Sequence, residues 1–331
     1  MIITKTPYRI SFFGGGTDHP IWFKENGGKV LATTFDKYCY ISIRNLPQFF
    51  DHKFRIVYSS IESVKTVNQI KHPSVRETLN YFNINKGLEI HHDGDLPARS
   101  GLGSSSSFTV GLINALNAMK GIQNSKLDLA NTAINIEQNL INECVGSQDQ
   151  ISASYGGMNE IIFNRDESFL VNPAILSQDR KNELNDHLML FYSGISRFSS
   201  DISKSQVSNI KNCTPQMQDL FDMVDEGSSI LKNPNISLDE FGKLLHESWQ
   251  VKRSLSDKVS NLFINEIYEV ARSSGALGGK VLGAGGGGFI LLFVKPKDQE
   301  VVKVKLKNLV HVPFKFENTG SKVVLYQPNG L

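Results

Sequence analysis

The chain has 331 residues, of which 40% are hydrophobic, enough to bury the cores of about two domains. Its 35 Lys and Arg residues nearly balance its 33 Asp and Glu residues, and the net charge of +2 disfavours a nucleic-acid or membrane-surface binder. The three cysteines, Cys39, Cys144 and Cys213, are widely spaced and include no CxxC pair, so neither a disulfide framework nor a zinc site is expected.

The hydropathy pattern predicts neither a leader segment nor a membrane span. The N-terminal residues contain no continuous apolar stretch of the kind that a signal peptide carries. The apolar run Phe289–Val294 falls well short of the roughly 20 residues that cross a bilayer. We therefore expect a cytoplasmic protein that binds neither nucleic acid nor membrane, with monomer and homodimer both left open.

The first third of the chain is predicted to be rich in β-strands, and helices are predicted to follow. Strand-like runs of apolar, aromatic and β-branched residues occupy 2–12, 30–44, 54–58 and 87–92. Apolar residues then recur at helical spacing from Ser104 onward. Ser125, with Asp128 three residues later, predicts the start of a second helix through a capping-box-like pair.

The remainder of the chain mixes strands and helices in an irregular order. Strands are predicted at 159–163, 169–171, 188–192, 288–294 and 322–326, and helices from about 214, 237, 261 and 298. The polar stretch 177–186 is the predicted domain boundary, which divides the chain into 1–176 and 187–331. This order indicates α+β layers and not a repeated βαβ unit.

A segment rich in glycine and serine, 97–107, joins a predicted strand to a predicted helix. Its glycines let backbone N–H groups approach a ligand, and the helix N-terminus adds partial positive charge. The serines add hydroxyl donors and a candidate Mg²⁺ ligand. No lysine follows the glycines, so the segment is not a Walker A loop. It is predicted to hold phosphates, although a flexible loop before an ordinary helix has a similar composition.

A second glycine-rich segment, 283–288, satisfies the pattern G-x-G-x-x-G. A dinucleotide-binding loop with this pattern opens a helix, whereas this segment precedes a predicted strand, so the dinucleotide interpretation fails. Six residues with no side chain larger than methyl permit very close approach of the backbone. Either a ligand or a neighbouring loop is expected to fill that space.

Four charged residues accompany these loops. Arg9 lies on the first predicted strand, and Asp18 follows the turn Gly14-Gly15-Gly16. Glu137 lies among apolar helical residues, and Asp149 follows in a turn. A phosphoryl-transfer site uses a cation near the migrating phosphate, a metal ligand and a carboxylate at the hydroxyl. Taken singly, each of these residues is also explained as a solvated charge.

In combination, these segments resemble the GHMP kinase superfamily. Its three motifs occur here in order, namely P-x-R-[IV]-x-x-x-G…TD from Pro7, P-x-x-x-G-L-G-S-S from Pro97 and G-A-G-G-G-G from Gly283. The resemblance implies the GHMP kinase fold: a β-rich N-terminal, ATP-binding domain with a ribosomal-protein-like β-α-β crossover, then a ferredoxin-like C-terminal domain. It also implies ATP as phosphoryl donor and Mg²⁺ as cofactor.

Two stretches are similar to one branch of that superfamily, the D-glycero-D-manno-heptose 7-phosphate kinases. They are residues 9–18 and 249–256. The branch phosphorylates the anomeric hydroxyl of the sugar phosphate, giving the 1,7-bisphosphate used for GDP-heptose. Galactokinase-like members carry Glu-His where this chain has Gly15 and Gly16, which enlarges the pocket and argues against galactose.

The resemblance implies a role for each site residue. Arg9 and Asp149 are implied as catalytic, Arg9 at the transferring phosphate and Asp149 at the attacking hydroxyl. The implied ATP-binding residues are Pro97, Arg99, Ser100, Gly101, Leu102, Gly103, Ser104, Ser105 and Ser106. The implied Mg²⁺ ligands are Ser105, or Ser104, together with Glu137. The implied substrate-binding residues are Ser11, Gly15, Gly16, Thr17, Asp18, Gly285 and Gly286.

A sugar 7-phosphate requires cations beyond those that serve ATP. Our candidates are Arg197, Lys252 and Arg253, because Arg and Lys supply such phosphate contacts, although solvated surface charges fit equally well. Another sugar 1-kinase, such as a fucokinase or a hexose kinase, is the alternative enzyme. A non-catalytic regulator that senses sugar or ATP is disfavoured, because Arg9, Glu137 and Asp149 are all present.

Overall fold

A computed structural model describes residues 1–195 and 199–328 of the chain. Arg197, one of the cations expected at a sugar phosphate, lies outside the described residues. Within the described ranges, no helix has the length and apolar character needed to cross a bilayer. The three cysteines are free thiols, as predicted.

Strands dominate the first hundred residues. They are β1 (Ile2–Phe13), β2 (Gly28–Asn45), β3 (Phe54–Val57), β4 (Ile61–Val64) and β5 (Leu88–Gly94), with helices α1 (Pro20–Asn26) and α2 (Pro73–Tyr81) between them. Then come α3 (Ser104–Met119), α4 (Lys126–Ile134), α5 (Gln148–Tyr155), β6 (Met158–Phe163) and β7 (Phe169–Pro173). The predicted strands and helices of this half are confirmed, including the cap in which Ser125 accepts from the N–H of Asp128.

The second half contains more helix than strand. Its helices are α6 (Gln178–Asp186), α7 (Ser199–Asn209), α8 (Thr214–Lys232), α9 (Leu238–Ser254), α10 (Leu262–Ser273) and α11 (Gln299–Lys305). Its strands are β8 (Leu188–Tyr192), β9 (Ala276–Val281), β10 (Phe289–Val294), β11 (Val310–His311), β12 (Phe316–Glu317) and β13 (Lys322–Tyr326).

The strands form two sheets within the described ranges. The larger runs in the order β13-β1-β2-β5-β3-β4, with β6 and β12 paired to β2 and β7 paired to β6. The smaller runs β11-β8-β10-β9 and is antiparallel throughout. Helix α3 contacts β1 and β2 on one side and α4 and α5 on the other, which explains why it is buried along most of its length. This confirms the α+β class.

The polar stretch predicted as the domain boundary is a helix, α6. Ser177 caps it by accepting from the N–H of Arg180, and the guanidinium of Arg180 donates to carbonyls at Ile230 and Ile236. Local capping and these long-range bonds give the stretch a regular structure that its polarity did not suggest. The division into 1–176 and 187–331 stays a prediction, and β12 and β13 lie in the sheet of the first part.

Candidate active site

A cavity of about 790 Å³ is lined by residues from both sheets. Strand β1, the segment 98–106 and the start of α5 form one part of its wall. Helix α9, strand β9 and the first residues after β9 form another. All three glycine-containing motifs of the sequence therefore meet at one concave site.

An ion pair between Arg9 and Asp149 lies on this wall. The Arg9 Nε and Nη2 atoms donate to the two carboxylate oxygens of Asp149 at 2.7 and 2.9 Å. The third donor, Nη1, bonds the carbonyl of Gly101 at 2.6 Å. Such a two-pronged contact fixes the orientation of both side chains. The carboxylate keeps free lone pairs for a hydroxyl, because each of its oxygens can accept more than one hydrogen bond.

The turn after the triple glycine positions Asp18. Its carboxylate accepts from the N–H of Gly16 at 2.9 Å and from the N–H of Gln148 at 3.3 Å. The N–H of Ser147 bonds the Asp18 carbonyl. This links the first motif to the start of α5, so Asp18 and Asp149 are held on the same side of the cavity.

Thr17, expected to contact substrate, instead has a structural position. Its hydroxyl donates to the carbonyls of Gly14 and Lys29 at 2.8 Å each and accepts from the N–H of Lys29. The side chain is fully buried, and Thr17 is not part of the cavity wall. Its single O–H lies within hydrogen-bond distance of both carbonyls and its oxygen accepts from Lys29, so the hydroxyl joins the turn to β2.

The predicted phosphate loop ends where α3 begins. Gly103 adopts a left-handed conformation before Ser104, and the first residues of the helix, Ser104, Ser105 and Ser106, line the cavity. The first N–H groups of a helix have no partner within it and suit an anion. Gly101, Gly103 and Arg99 line it as well. The other predicted ATP contacts, Pro97, Ser100 and Leu102, are not part of the wall. Leu102 is a core residue, and the Ser100 hydroxyl bonds the Pro97 carbonyl.

Neighbouring backbone packs closely against the second glycine segment. A Cβ added to Gly283 would lie 2.6 Å from the Gly101 Cα, and one added to Gly101 would lie 2.4 Å from the Leu282 carbonyl oxygen. The two glycine loops therefore pack directly against each other. Gly285 and Gly286, expected at the substrate, contact Val259 instead, and only Gly283 and Ala284 of this motif line the cavity.

Glu137 lies behind the serine-rich helix start. It belongs to a π-helical segment, Asn135–Leu140, a geometry that is frequent at functional sites. Its Oε2 accepts from the hydroxyl of Ser106 at 2.8 Å and from the side-chain amide of Gln150. Burial raises its pKa to about 7. Among the described residues, Oε1 has no partner.

The unpartnered Oε1 of Glu137 and the hydroxyl of Ser106 fit a hard cation such as Mg²⁺. Mg²⁺ prefers oxygen ligands and takes few from the protein when phosphates and water supply the rest. The described part of the chain contains no cluster of three or more acidic, histidine or cysteine ligands. The serine that bonds Glu137 is Ser106, whereas the resemblance implied Ser105 or Ser104 as the Mg²⁺ ligand. Ser105 is exposed on the cavity wall.

The structure separates the two neighbouring cations Lys252 and Arg253. Lys252 lines the cavity, is 6% exposed and donates to the carbonyl of Gly283. Arg253 points elsewhere, bonds the side chain of Gln250 and is not part of the cavity wall. Successive residues on a helix differ in direction by about 100°, so only one of the pair can face the site. Burial, followed by the nearby charge of Arg9, lowers the pKa of Lys252 to about 8.

A second buried lysine, Lys280, lies on the same wall. Its Nζ donates to the carbonyl of Phe12 at 2.7 Å, which joins β9 to β1. Burial, then the charges of Lys252 and Arg9, lower its pKa well below the usual range. Neither lysine forms a salt bridge with any residue in the described ranges. Lys252, with a pKa of about 8, is therefore a cation near pH 7 that an anionic ligand can bind, whereas Lys280 joins β9 to β1.

Aromatic side chains form the far end of the cavity. The ring of His72 stacks on Phe108 with centroids 4.7 Å apart, and His92 meets Phe108 edge-on at 5.1 Å. Burial lowers the pKa of His72 to about 4, so its ring is neutral near pH 7. Glu62 accepts from the backbone N–H groups of Lys71 and His72, which fixes the loop before α2. This flat, largely uncharged surface suits a planar base.

Sequence reasoning missed several of these residues. They are Lys280, His19, Gln148, Glu143 and the aromatic residues Tyr58, His72, His92 and Phe108. For Lys280 the sequence did carry a signal, namely a lysine within the otherwise apolar and glycine-rich run of β9. Lysine is seldom buried unless it has a partner. The aromatic residues carried no comparable signal, because their sequence positions fit a core equally well.

Comparison with known protein families places both halves of the chain in one group. The family model described as "GHMP kinases N terminal domain" matches residues 66–157, and that described as "GHMP kinases C terminal" matches residues 231–311. Together they match just over half of the chain. The segments 97–107 and 283–288 fall within these matched ranges, whereas the first motif, from Pro7 to Asp18, precedes them.

Among curated proteins, the chain is similar to a D-glycero-alpha-D-manno-heptose 7-phosphate kinase of Campylobacter jejuni, at 29% identity over 97% of this chain and 98% of the relative. It is also 25% identical, over 89% of its length, to a bifunctional fucokinase/GDP-fucose pyrophosphorylase of Arabidopsis thaliana, of which it spans 30%. A structure of a D-glycero-D-manno-heptose 1-phosphate kinase from Bacteroides thetaiotaomicron has the same fold, with a TM-score of 0.81, 22% identity and coverage of 99% and 100% of the two chains.

Proposed function

This chain belongs to the GHMP kinase family, and on that premise we propose that it phosphorylates the anomeric hydroxyl of D-glycero-D-manno-heptose 7-phosphate. It is a sugar kinase that uses ATP as phosphate donor. The proposed product is the 1,7-bisphosphate, a precursor for GDP-heptose. The finer substrate assignment depends on the acceptor end of the cavity.

One observation carries the proposal, namely the buried Lys252 beside the Arg9–Asp149 pair. Asp149 is already bonded to Arg9, and Lys252 donates only to the Gly283 carbonyl, so its ammonium charge can pair with an acceptor phosphate. An uncharged sugar would not compensate that charge, whereas a sugar phosphate would. The 29% identical relative of similar length, named a heptose 7-phosphate kinase, supports the same acceptor.

The chain's own residues supply orientation and charge for an in-line transfer. Asp149, held by Arg9, accepts a hydrogen bond from the attacking anomeric hydroxyl. It takes up the proton as that oxygen bonds the γ-phosphorus of ATP, while the bond from this phosphorus to the β–γ bridging oxygen breaks and ADP leaves. Arg9 lies where negative charge collects on the transferring phosphoryl group. Ser106 and Glu137 would hold Mg²⁺, which neutralises phosphate charge when it is bound. The N–H groups at the start of α3 hold the triphosphate, and the aromatic end near Phe108 holds the base.

The first test is a substrate panel measured by coupled ADP release with Mg-ATP. The panel contains mannoheptose 7-phosphate, mannoheptose, fucose, galactose and N-acetylhexosamines. We expect kcat/KM for the 7-phosphate to exceed that for unphosphorylated mannoheptose by at least about 100-fold, since a sugar without the phosphate leaves buried positive charge unpaired. Equal turnover of the two heptoses would contradict the 7-phosphate assignment while leaving the kinase in place.

A second test uses the pH dependence that Lys252 predicts. Its pKa of about 8 applies to the ligand-free cavity, where burial and then the charge of Arg9 lower it while Asp18 and Asp149 raise it. The ammonium binds an anion and the neutral amine does not. The KM for the sugar phosphate should therefore be constant below about pH 8 and rise by up to about tenfold per pH unit above it.

Variants of two adjacent residues test whether Lys252 itself causes the rise in sugar-phosphate KM or whether any loss of positive charge on this helix does. Lys252→Met should raise the sugar-phosphate KM by about 10- to 100-fold and remove the rise above pH 8. Arg253→Met, on the same helix but outside the cavity, should leave both unchanged. If Lys252→Met instead raised the KM for ATP alone, Lys252 would serve the donor phosphates and the acceptor argument would fail.

A different sugar 1-kinase is the second candidate, favoured by the similarity to the bifunctional fucokinase. Fucose carries no phosphate, so such an enzyme would leave Lys252 without an acceptor anion. Turnover of fucose with a KM that Lys252→Met does not change would establish this candidate in place of the heptose 7-phosphate kinase.

A further inference from the structure

Two buried polar side chains on the cavity wall lack hydrogen-bond partners among the residues that the structure describes. They are Ser11, through its hydroxyl, and Gln148, through its side-chain carbonyl oxygen. Both line the cavity, and they are 5% and 8% exposed. Burying such atoms without a partner is costly, and native proteins seldom do so unless a ligand or water completes the bonding.

The two side chains converge on the space left by Gly15. A Cβ built on Gly15 would lie 3.5 Å from the Ser11 hydroxyl oxygen and 3.6 Å from the Gln148 amide nitrogen. The backbone N–H of Gln148 bonds Asp18, and the next residue is Asp149, so the side chain is held close to the carboxylates of the site. A polar recess therefore lies beside the position proposed for the sugar.

The chemistry of these groups matches neighbouring hydroxyls on a sugar ring. A side-chain amide offers both donors and an acceptor, and a serine hydroxyl can do either, so together they can bond two adjacent O–H groups. We propose that Gln148 and Ser11 read a vicinal diol of the sugar substrate, and that Gly15 determines specificity by leaving the room for it. This inference deepens the sugar-kinase assignment and rests on it.

The first experiment replaces Gln148 with methionine, which keeps the length of the side chain and removes its polar atoms. Gln148→Met should raise the KM for mannoheptose 7-phosphate at least about tenfold and leave the KM for ATP within about twofold. Its unfolding temperature without ligand should not fall, since an unpartnered amide is removed. A lower unfolding temperature with an unchanged sugar KM would mean that Gln148 is only structural. Gln178→Met, on exposed α6, is the matched control.

A second variant, Gly15→Ala, tests the recess without touching a hydrogen bond. Gly15 is not among the residues with positive φ, and the added methyl would make only ordinary van der Waals contacts with the protein. The variant should therefore fold with wild-type stability, and its KM for the sugar should be at least about tenfold higher than that of wild type. A wild-type sugar KM would show that no ligand group occupies this space and would overturn the inference.

Monodeoxy analogues of the sugar then identify the hydroxyls. For the analogue that lacks a contacted hydroxyl, wild type and Gln148→Met should have equal KM, because the interaction is already absent in both. If Gln148→Met discriminated against every analogue as strongly as wild type does, Gln148 would have no role in binding these hydroxyls. If the panel shows that an unphosphorylated sugar is the substrate, the heptose 7-phosphate assignment fails, and the same comparison on that sugar still tests the diol contact.

Discussion

Replacing Asp149 with asparagine should lower kcat by at least about 100-fold, in line with the loss of a positioned proton acceptor. Asparagine keeps the shape of the side chain, but its amide cannot take up the proton of the attacking hydroxyl. It also places an NH₂ group against Arg9, whose Nε and Nη2 atoms donate to the two carboxylate oxygens at 2.7 and 2.9 Å. The pair therefore loses both its proton acceptor and its fixed orientation.

Single-turnover kinetics under saturating substrates measure the chemical step for this variant. Asp219→Asn, an exposed acid on α8, is the matched control and should keep wild-type turnover. Far-ultraviolet circular dichroism should show that the Asp149→Asn variant is folded, because Gln148 and Ser147 still tie the start of α5 to Asp18. Wild-type kcat in a folded variant would remove Asp149 from the chemistry and leave positioning as the source of catalysis.

Replacing Glu137 with glutamine should separate folding from catalysis. The glutamine carbonyl can still accept from Ser106 and Gln150, and its NH₂ group would occupy the place of the unpartnered Oε1. A neutral side chain no longer attracts a divalent cation. We expect about a 100-fold lower kcat and at least a tenfold higher Mg²⁺ concentration for half-maximal rate, comparable with the loss of a metal contact.

Thermal unfolding supplies the second readout for Glu137→Gln. Without Mg²⁺ and nucleotide, the variant should unfold at or above the wild-type temperature, because burying a carboxylate is more costly than burying an amide. Adding Mg-ATP should stabilise wild type more than the variant. Glu266→Gln, exposed on α10, is the control with no expected effect. Equal stabilisation and equal Mg²⁺ dependence would exclude Glu137 as a metal ligand.

The ion pair between Arg9 and Asp149 illustrates how motifs distant in sequence become one site. Arg9 and Asp149 are 140 residues apart, and no sequence pattern predicts the distance between them. Their contact arises because two segments pack beside β1. The backbone N–H of Arg9, on β1, bonds the carbonyl of Leu102, and the Asp18 turn holds the start of α5 beside the same strand. The motifs predicted that both residues belong to one site, and the packing of β1 against two loops determined that they touch.

The misplaced expectations have a common physical origin. Motif membership predicted Thr17, Gly285 and Gly286 at the substrate, but each of them is used to join backbone segments. A motif can be required for the shape of a loop without any contact to ligand. Sequence spacing alone cannot distinguish the two requirements, because both restrict the same positions.

The amino-acid sequence by itself determined the local structure and the family resemblance. Strand alternation, helical spacing and the cap at Ser125 depend on residues within about four positions of one another, so a single sequence reveals them. Only the tertiary structure decided that Lys252 faces the cavity and Arg253 does not, that Lys280 joins the site, and that Gln148 points into the space beside Gly15. Those outcomes depend on which face of a helix or strand is packed against a distant segment, and that is fixed by contacts across the whole fold.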